Sequence, residues 1–133
     1  MDEVVTKIYR RLLQTGFEYS GSIDHPSIFL DTKLEGLSIC GQAGRDYMNI
    51  YINVNHGVIE DIKYLCFCDP TANVVVETLC RLAKGRTIEE AKALAKEEFF
   101  RVIGSEDESL GKKVLGIIEL LHRGINRFER GAS

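Results

Sequence analysis

The sequence predicts an α+β fold, in which an N-terminal helix and a small antiparallel sheet of about three strands precede three helices packed on one face. Two observations carry this prediction. Residues 47–54 alternate polar and apolar side chains with a period of two, which is typical of a half-buried strand. Downstream, three stretches repeat apolar residues at helical spacing, and each opens with a capping signal. Strands followed by a run of helices indicate the α+β class.

The composition is that of a globular protein. The chain has 133 residues, of which 44% are hydrophobic and 28% charged, so we expect a single domain over residues 1–133. The net charge is only −3, without a basic stripe, which argues against nucleic acid or a membrane surface as partner. An acidic start and the lack of a long apolar run argue against a signal peptide and a spanning helix, so we expect a cytoplasmic location.

The first element predicted is a helix. Gly16 is expected to end it, and its apolar stripe consists of Val5, Ile8, Tyr9, Leu12 and Leu13. The following stretch, from Phe17 to about Leu37, is punctuated by glycine and proline, and the sequence predicts it to be irregular.

A hairpin is the next predicted element. The alternating strand ends at Asn55-His56-Gly57, residues that tolerate a positive φ, so the chain should turn back there. The return strand is expected from about Val58 to Phe67. Ile62, Tyr64 and Cys66 share one face of it, and Cys68 would continue that row.

Three helices complete the predicted fold. Asp69 is a good N-cap with proline directly after it, which predicts a helix near 70–84. Thr87-Ile88-Glu89-Glu90 is a capping box and predicts a helix near 88–100, with Ala95 among its inward residues. Ser105-Glu106-Asp107-Glu108 is a second capping box, opening a long helix near 106–128.

The four cysteines are the main candidates for chemistry, and in the cytoplasm we expect thiols or metal ligands rather than disulfides. Cys68 precedes a helix N-terminus, which favours a thiolate, although a small hydrophobe ending a strand would also fit. Cys66 could join it or fill the core, and Cys40 is equally open. Cys80, within a helix, is expected to be a packing residue. The three histidines lack zinc-site spacing.

The sequence shows no serine nucleophile elbow, phosphate-binding loop or pair of catalytic carboxylates, so an independent enzyme is not expected.

Several segments together resemble the NifU/IscU-like iron–sulfur cluster assembly scaffolds. Residues 46–54 are similar to the family's aspartate and strand, residues 57–64 to its hairpin and return strand, and Cys66-Phe67-Cys68 to the turn of its second cysteine. Lys84-Gly85-Arg86-Thr87-Ile88-Glu89-Glu90-Ala91 resembles the junction between two of its helices. The resemblance covers roughly residues 36–125.

The resemblance implies a metal site, but the family's ligand positions are only partly kept. In strict register its first cysteine falls on Gly44, near Cys40, and its second on Asp69, beside Cys68. The third falls on Lys112. The implied ligands are therefore Cys40, Cys68 and Asp46, with Cys66 as a further candidate.

The implied cargo is a [2Fe-2S] cluster or zinc, weakly bound or absent. The implied partners are a cysteine desulfurase and apo-iron–sulfur client proteins.

Three functions follow as hypotheses. The first is a scaffold that binds a cluster through thiolates and transfers it to apo-proteins. The second is a degenerate relative that has lost the cluster and acts as an interaction or regulatory protein. The third is a persulfide carrier or thiol-redox enzyme using Cys66 and Cys68. We expect Cys40 and Cys68 to approach each other near Asp46, Cys68 to be the most reactive thiol, and Lys112→Cys to raise metal occupancy.

Overall fold

A computed structural model describes residues 2–40 and 46–131 of the chain. Within those ranges the elements follow the expected order of helix, sheet and helices. Their bounds are α1 Glu3–Thr15, β1 Ile28–Asp31, α2 Thr32–Glu35, β2 Tyr47–Asn55, β3 Val58–Phe67, α3 Pro70–Ala83, α4 Ile88–Lys92, α5 Lys96–Ile103 and α6 Glu108–Gly131.

The sheet is antiparallel throughout, with the strand order β1-β2-β3. Its two long strands form the predicted hairpin, running from the pair Tyr47↔Phe67 to the pair Asn55↔Val58. His56 and Gly57 make the turn with φ of 54° and 76°. Two successive positive φ values match the right-handed twist of the flanking strands, which is why this hairpin closes in two residues.

One face of the sheet is covered by helices and forms the core. The alternation predicted from the sequence is confirmed, because Met48, Ile50 and Ile52 are fully buried. The opposite face carries exposed apolar side chains, namely Phe29, Leu65 and Phe67. The predicted α+β arrangement, with the helices on one side, is therefore confirmed.

The segment predicted to be irregular contains the third strand. β1 is only four residues long and pairs with β2 from Ile28↔Ile52 to Asp31↔Asn49. A strand this short offers too few alternating positions for its period to stand out, and its stability comes from pairing with a distant partner.

The helix expected near 88–100 is wrong as a single element, because α4 ends at Lys92 and α5 begins at Lys96. The Glu98 carboxylate accepts a hydrogen bond from the Ala95 N–H, at 3.2 Å, and so starts a new helix. Ala95 is consequently exposed rather than inward. The cap of α6 is also shifted, since the Asp107 carboxylate rather than Ser105 accepts from the Ser109 and Leu110 N–H groups.

Two glycines let α6 lie close to the rest of the fold. A Cβ on Gly124 would come within 2.5 Å of Leu30 on β1, and one on Gly116 would come within 3.0 Å of Ile39. The helix backbone therefore approaches both the sheet edge and the segment that leads into Cys40. This approach brings the second turn of α6 to the end of the sheet where β3 leads into Cys68, called the cysteine end below.

Candidate functional site

Cys40 and Cys68 meet at one end of the sheet, where the structure joins them in a disulfide. Their Cα atoms are 4.5 Å apart although 28 residues separate them in sequence. The expected approach of the two side chains is observed. The expectation that these cysteines would be free thiols rather than a disulfide is wrong for this pair, because the fold brings them within bonding distance.

The turn from β3 into α3 positions Cys68. Asp69 is the N-cap of α3, and its Oδ1 accepts a hydrogen bond from the Ala72 N–H at 2.8 Å. The Cys68 Sγ lies 3.2 Å from the Tyr47 carbonyl oxygen, which a reduced thiol could use as a hydrogen-bond acceptor. Cys40 is only 5% exposed, and its backbone carbonyl accepts a hydrogen bond from the Asp69 N–H at 3.3 Å. This bond ties the Cys40 segment to the turn that positions Cys68.

Asp46 lies at the same end of the sheet. It directly precedes β2, whose first residue Tyr47 pairs with Phe67, the residue before Cys68. The register therefore brings the Asp46 backbone to the level of the cysteine pair. Gly44, the strict-register position of the first family cysteine, lies outside the described residues, and so does Gly41.

The other two cysteines stay free. Cys66 is half-buried, and desolvation, followed by the nearby Asp69 carboxylate, raises the pKa of its thiol to about 11. Burial likewise raises the pKa of Cys80, which is fully buried in α3 and packs in the core as expected. Cys68 is bonded to Cys40 while Cys66 is free, and a persulfide or redox role for Cys66 and Cys68 stays a prediction.

A lysine of α6 contacts the two segments that carry the paired cysteines, and it is Lys113 rather than Lys112. The Lys113 Nζ donates to the Ile39 carbonyl at 2.7 Å and pairs with the Asp69 Oδ2 at 3.0 Å. Lys112, which the resemblance aligned with the third family cysteine, is exposed to solvent. Of the two adjacent lysines, the one whose side chain contacts the cysteine segments is therefore Lys113, and the alignment of the third family cysteine with Lys112 stays a prediction.

A signal in the sequence could have found Lys113. It lies three residues after Leu110 and four before Ile117, both of which are fully buried, so it falls on the apolar stripe of α6. A lysine on such a stripe must find a partner for its ammonium group or extend it to solvent. The stripe alone does not say which partner it finds.

The donor set is short of a full metal site. Among residues 2–40 and 46–131, no group of three His, Cys, Asp or Glu side chains is arranged to hold a metal ion. The histidines contribute nothing here: His25 and His56 lie at positive φ, and the His122 Nε2 is 2.9 Å from the Lys92 carbonyl oxygen. On reduction the site would offer two thiols beside an ammonium group.

These observations define a class of protein: a helix-backed, three-stranded antiparallel scaffold with a cysteine pair at a strand-to-helix turn. The sequence profile of the NifU-like N-terminal domain family matches residues 20–132. The chain therefore belongs to that family, the family of iron–sulfur cluster assembly scaffolds.

The relatives agree with this assignment. The chain is 36% identical over 69 residues to the iron–sulfur cluster assembly scaffold proteins IscU 1 and IscU 2 of Archaeoglobus fulgidus. Each alignment covers 52% of this chain and 42% of the relative, so the chain spans about two fifths of the length of these curated relatives.

Two solved structures share the fold. A putative scaffold protein for the SUF system from Fervidobacterium islandicum has a TM-score of 0.64 at 16% identity, covering 94% of this chain and 96% of its own. A NifU-like N-terminal protein from Brucella abortus has a TM-score of 0.64 at 13% identity, covering 97% and 94%.

In the described part of the chain, the helices are all too short or too polar to cross a membrane.

Proposed function

We propose that the reduced Cys40–Cys68 pair, with Asp46, is a loading site for iron and sulfide. The cargo is a labile [2Fe-2S] cluster, with zinc as an alternative occupant, and it passes on to apo-iron–sulfur proteins. A cysteine desulfurase supplies the sulfur. The observation that carries the proposal is the meeting of Cys40 and Cys68, from segments 28 residues apart, beside the family's ligand turns.

The chemistry of the pair supports this cargo. Thiolates are soft ligands that select iron–sulfur clusters, zinc and copper(I) over hard cations. Loading requires the disulfide to be reduced first: two molecules of a cellular thiol such as glutathione supply two electrons and two protons and leave joined as their own disulfide. The protein acts as a carrier and needs no catalytic group of its own.

Weak binding is part of the proposal. Two thiolates and one carboxylate fall short of the four ligands that usually hold a cluster or zinc. The Lys113 ammonium adds a positive charge beside the site and, while protonated, has no lone pair to offer a metal. We therefore expect substoichiometric occupancy and rapid release.

The test is anaerobic reconstitution of the reduced protein with ferrous iron and sulfide, followed by absorbance, an iron assay and transfer to an apo-ferredoxin. We expect partial occupancy in the unmodified protein and loss of it in Cys40→Ser and Cys68→Ser. Cys80→Ala serves as the control, because that thiol is buried inside α3, and it should bind as the unmodified protein does. Unchanged iron content in both serine variants would contradict the proposal.

A second candidate function is a degenerate scaffold that no longer carries a cluster and acts through protein contacts. The observation that favours it is the ion pair between Lys113 and Asp69, which leaves neither group free to serve a metal. The same reconstitution separates the two, since the degenerate protein would take up neither iron nor zinc after full reduction.

A further inference from the structure

Lys113 touches both segments that carry the paired cysteines. Its Nζ donates to the carbonyl of Ile39, the residue before Cys40, and pairs with the carboxylate of Asp69, the residue after Cys68. One ammonium group from α6 thus bridges two segments that are otherwise distant in sequence. Both contacts are made to residues adjacent in sequence to the two cysteines.

The bridge differs from an ordinary surface ion pair. The Lys113 side chain is only 18% exposed, and both of its contacts, at 2.7 and 3.0 Å, are charge-assisted. The Asp69 carboxylate is fixed from its other side as well, because its Oδ1 caps α3. Lys113 lies within α6 and Asp69 caps α3, so both partners of the ion pair are attached to helices, which reduces the entropy lost in forming it.

We propose that Lys113 is a positioning residue that keeps Cys40 and Cys68 side by side in the reduced protein. Its two contacts, to the residue before Cys40 and to the residue after Cys68, hold the two segments of the two-thiol site together. The inference uses the cysteine pair of the proposed function and concerns its regulation, since the brace sets how readily the site closes into the disulfide that excludes cargo.

The closing step can be written in full. The Cys40 and Cys68 thiols react with one oxidised glutathione, a sulfur–sulfur bond forms between them, the glutathione disulfide breaks, and two reduced glutathione molecules leave with the two protons. The equilibrium constant of this exchange is the effective concentration of one thiol at the other. A brace that holds the pair together raises that concentration.

The experiment equilibrates the protein with glutathione buffers at pH 6.5, where ordinary thiols are protonated. Mass spectrometry of the peptides containing Cys40 and Cys68 then gives the oxidised fraction. We expect Lys113→Met to lower the effective concentration about tenfold, because it removes a part-buried charge-assisted hydrogen bond and the ion pair with Asp69. Lys113→Arg should restore much of it, and Lys112→Met, the exposed neighbour, is the matched control and should change nothing.

Asp69→Asn provides a second variant in case Lys113→Met does not fold. Asparagine caps a helix as well as aspartate does, so α3 should be kept while the ion pair is lost. We expect about a threefold drop. The proposal would be overturned if the effective concentration in Lys113→Met equalled that in Lys112→Met within the scatter of the measurement. If Lys113→Met does not fold, the same comparison is made with folded Asp69→Asn. Iron plays no part in this measurement. A failure of iron loading would therefore count against the proposed function and not against the role of Lys113.

Discussion

The two ends of the sheet are built by different means. At the hairpin end, the junction between α3 and α4 is tied to the sheet by backbone hydrogen bonds, from Gly85 N–H to the Ile59 carbonyl and from Ile88 N–H to the Gly57 carbonyl. At the cysteine end, side chains make most of the ties: the Cys40–Cys68 bond and the contacts of Lys113. Backbone hydrogen bonds form with many different side chains, so the hairpin end should accept many substitutions. At the cysteine end, a single substitution removes a bond or a charge and so changes the chemistry of the site.

Breaking the cysteine end should have the largest effect on stability. A cross-link that spans 28 residues restricts the unfolded chain. We therefore expect Cys40→Ser to lower the free energy of unfolding by about 3 kcal/mol without reductant. Urea unfolding with and without dithiothreitol measures it, and the difference from the unmodified protein should largely disappear with the reductant. A loss of equal size under both conditions would mean that the side chain matters through packing and not through the bond.

Breaking the hairpin end should cost less and leave the cysteines unaffected. Gly85 has a φ of 87°, so Gly85→Ala should lower the free energy of unfolding by about 1 kcal/mol. The control is Gly111→Ala in α6, where a Cβ would make an ordinary contact 3.5 Å from Phe100, so no loss is expected. Thermal and urea unfolding check both variants. A shift in the glutathione equilibrium of Gly85→Ala would show that the two ends are coupled.

The comparison of the two ends also explains what the sequence could predict. The period of two, the turn at His56-Gly57 and the capping box at Thr87 are local signals. The two strands that they predict are present with nearly the expected bounds, and the helix after Thr87 begins where expected, at Ile88. β1 depends on pairing with β2, and the sequence predicted about three strands without placing this one. The break at Ala93–Ala95 depends on one carboxylate, and the sequence did not predict it.

The cysteine end depends on contacts between residues far apart in sequence. Lys113 and Ile39 are 74 positions apart, and no local pattern records that α6 approaches Ile39 closely enough for the contact. The resemblance put Cys40, Cys68 and Asp46 in one region and aligned the third family cysteine with Lys112. The lysine whose side chain contacts the two cysteine segments is its neighbour, Lys113. That choice follows from the rotation of α6, which packing against the sheet decides.

The smallest expected effect lies at a third contact, between α2 and α6. A hydrogen bond from Arg127, together with the charges of Arg127 and Arg123, holds the pKa of the Glu35 carboxyl below its usual value. A lowered pKa in the folded state contributes stability above the usual glutamate pKa, and that contribution is lost as the pH falls through the lowered value.

We expect this contribution to be about 0.5 kcal/mol, as for other partly exposed ion pairs. Glu35→Gln should therefore remove about that much stability at pH 7 and flatten the acid side of the stability profile. Urea unfolding between pH 7 and pH 3 measures it. If the free energy of unfolding of the variant fell with pH as it does in the unmodified protein, other carboxylates would govern the loss of stability in acid. The glutathione equilibrium of the cysteine pair and the stability of the hairpin end should not change in this variant.

The most direct test of the account is to restore a third thiol at each of the two adjacent lysines. Reduced Lys113→Cys, Lys112→Cys and the unmodified protein are reconstituted anaerobically with iron and sulfide, and their iron and sulfide contents are compared. We predict a clear gain for Lys113→Cys, because a ligand replaces a positive charge at the site, and little or none for Lys112→Cys, whose side chain is exposed. A gain for Lys112→Cys alone would contradict the claim that Lys113 is the lysine that faces the cysteine pair, and full occupancy in the unmodified protein would contradict the claim that the site is short of a ligand.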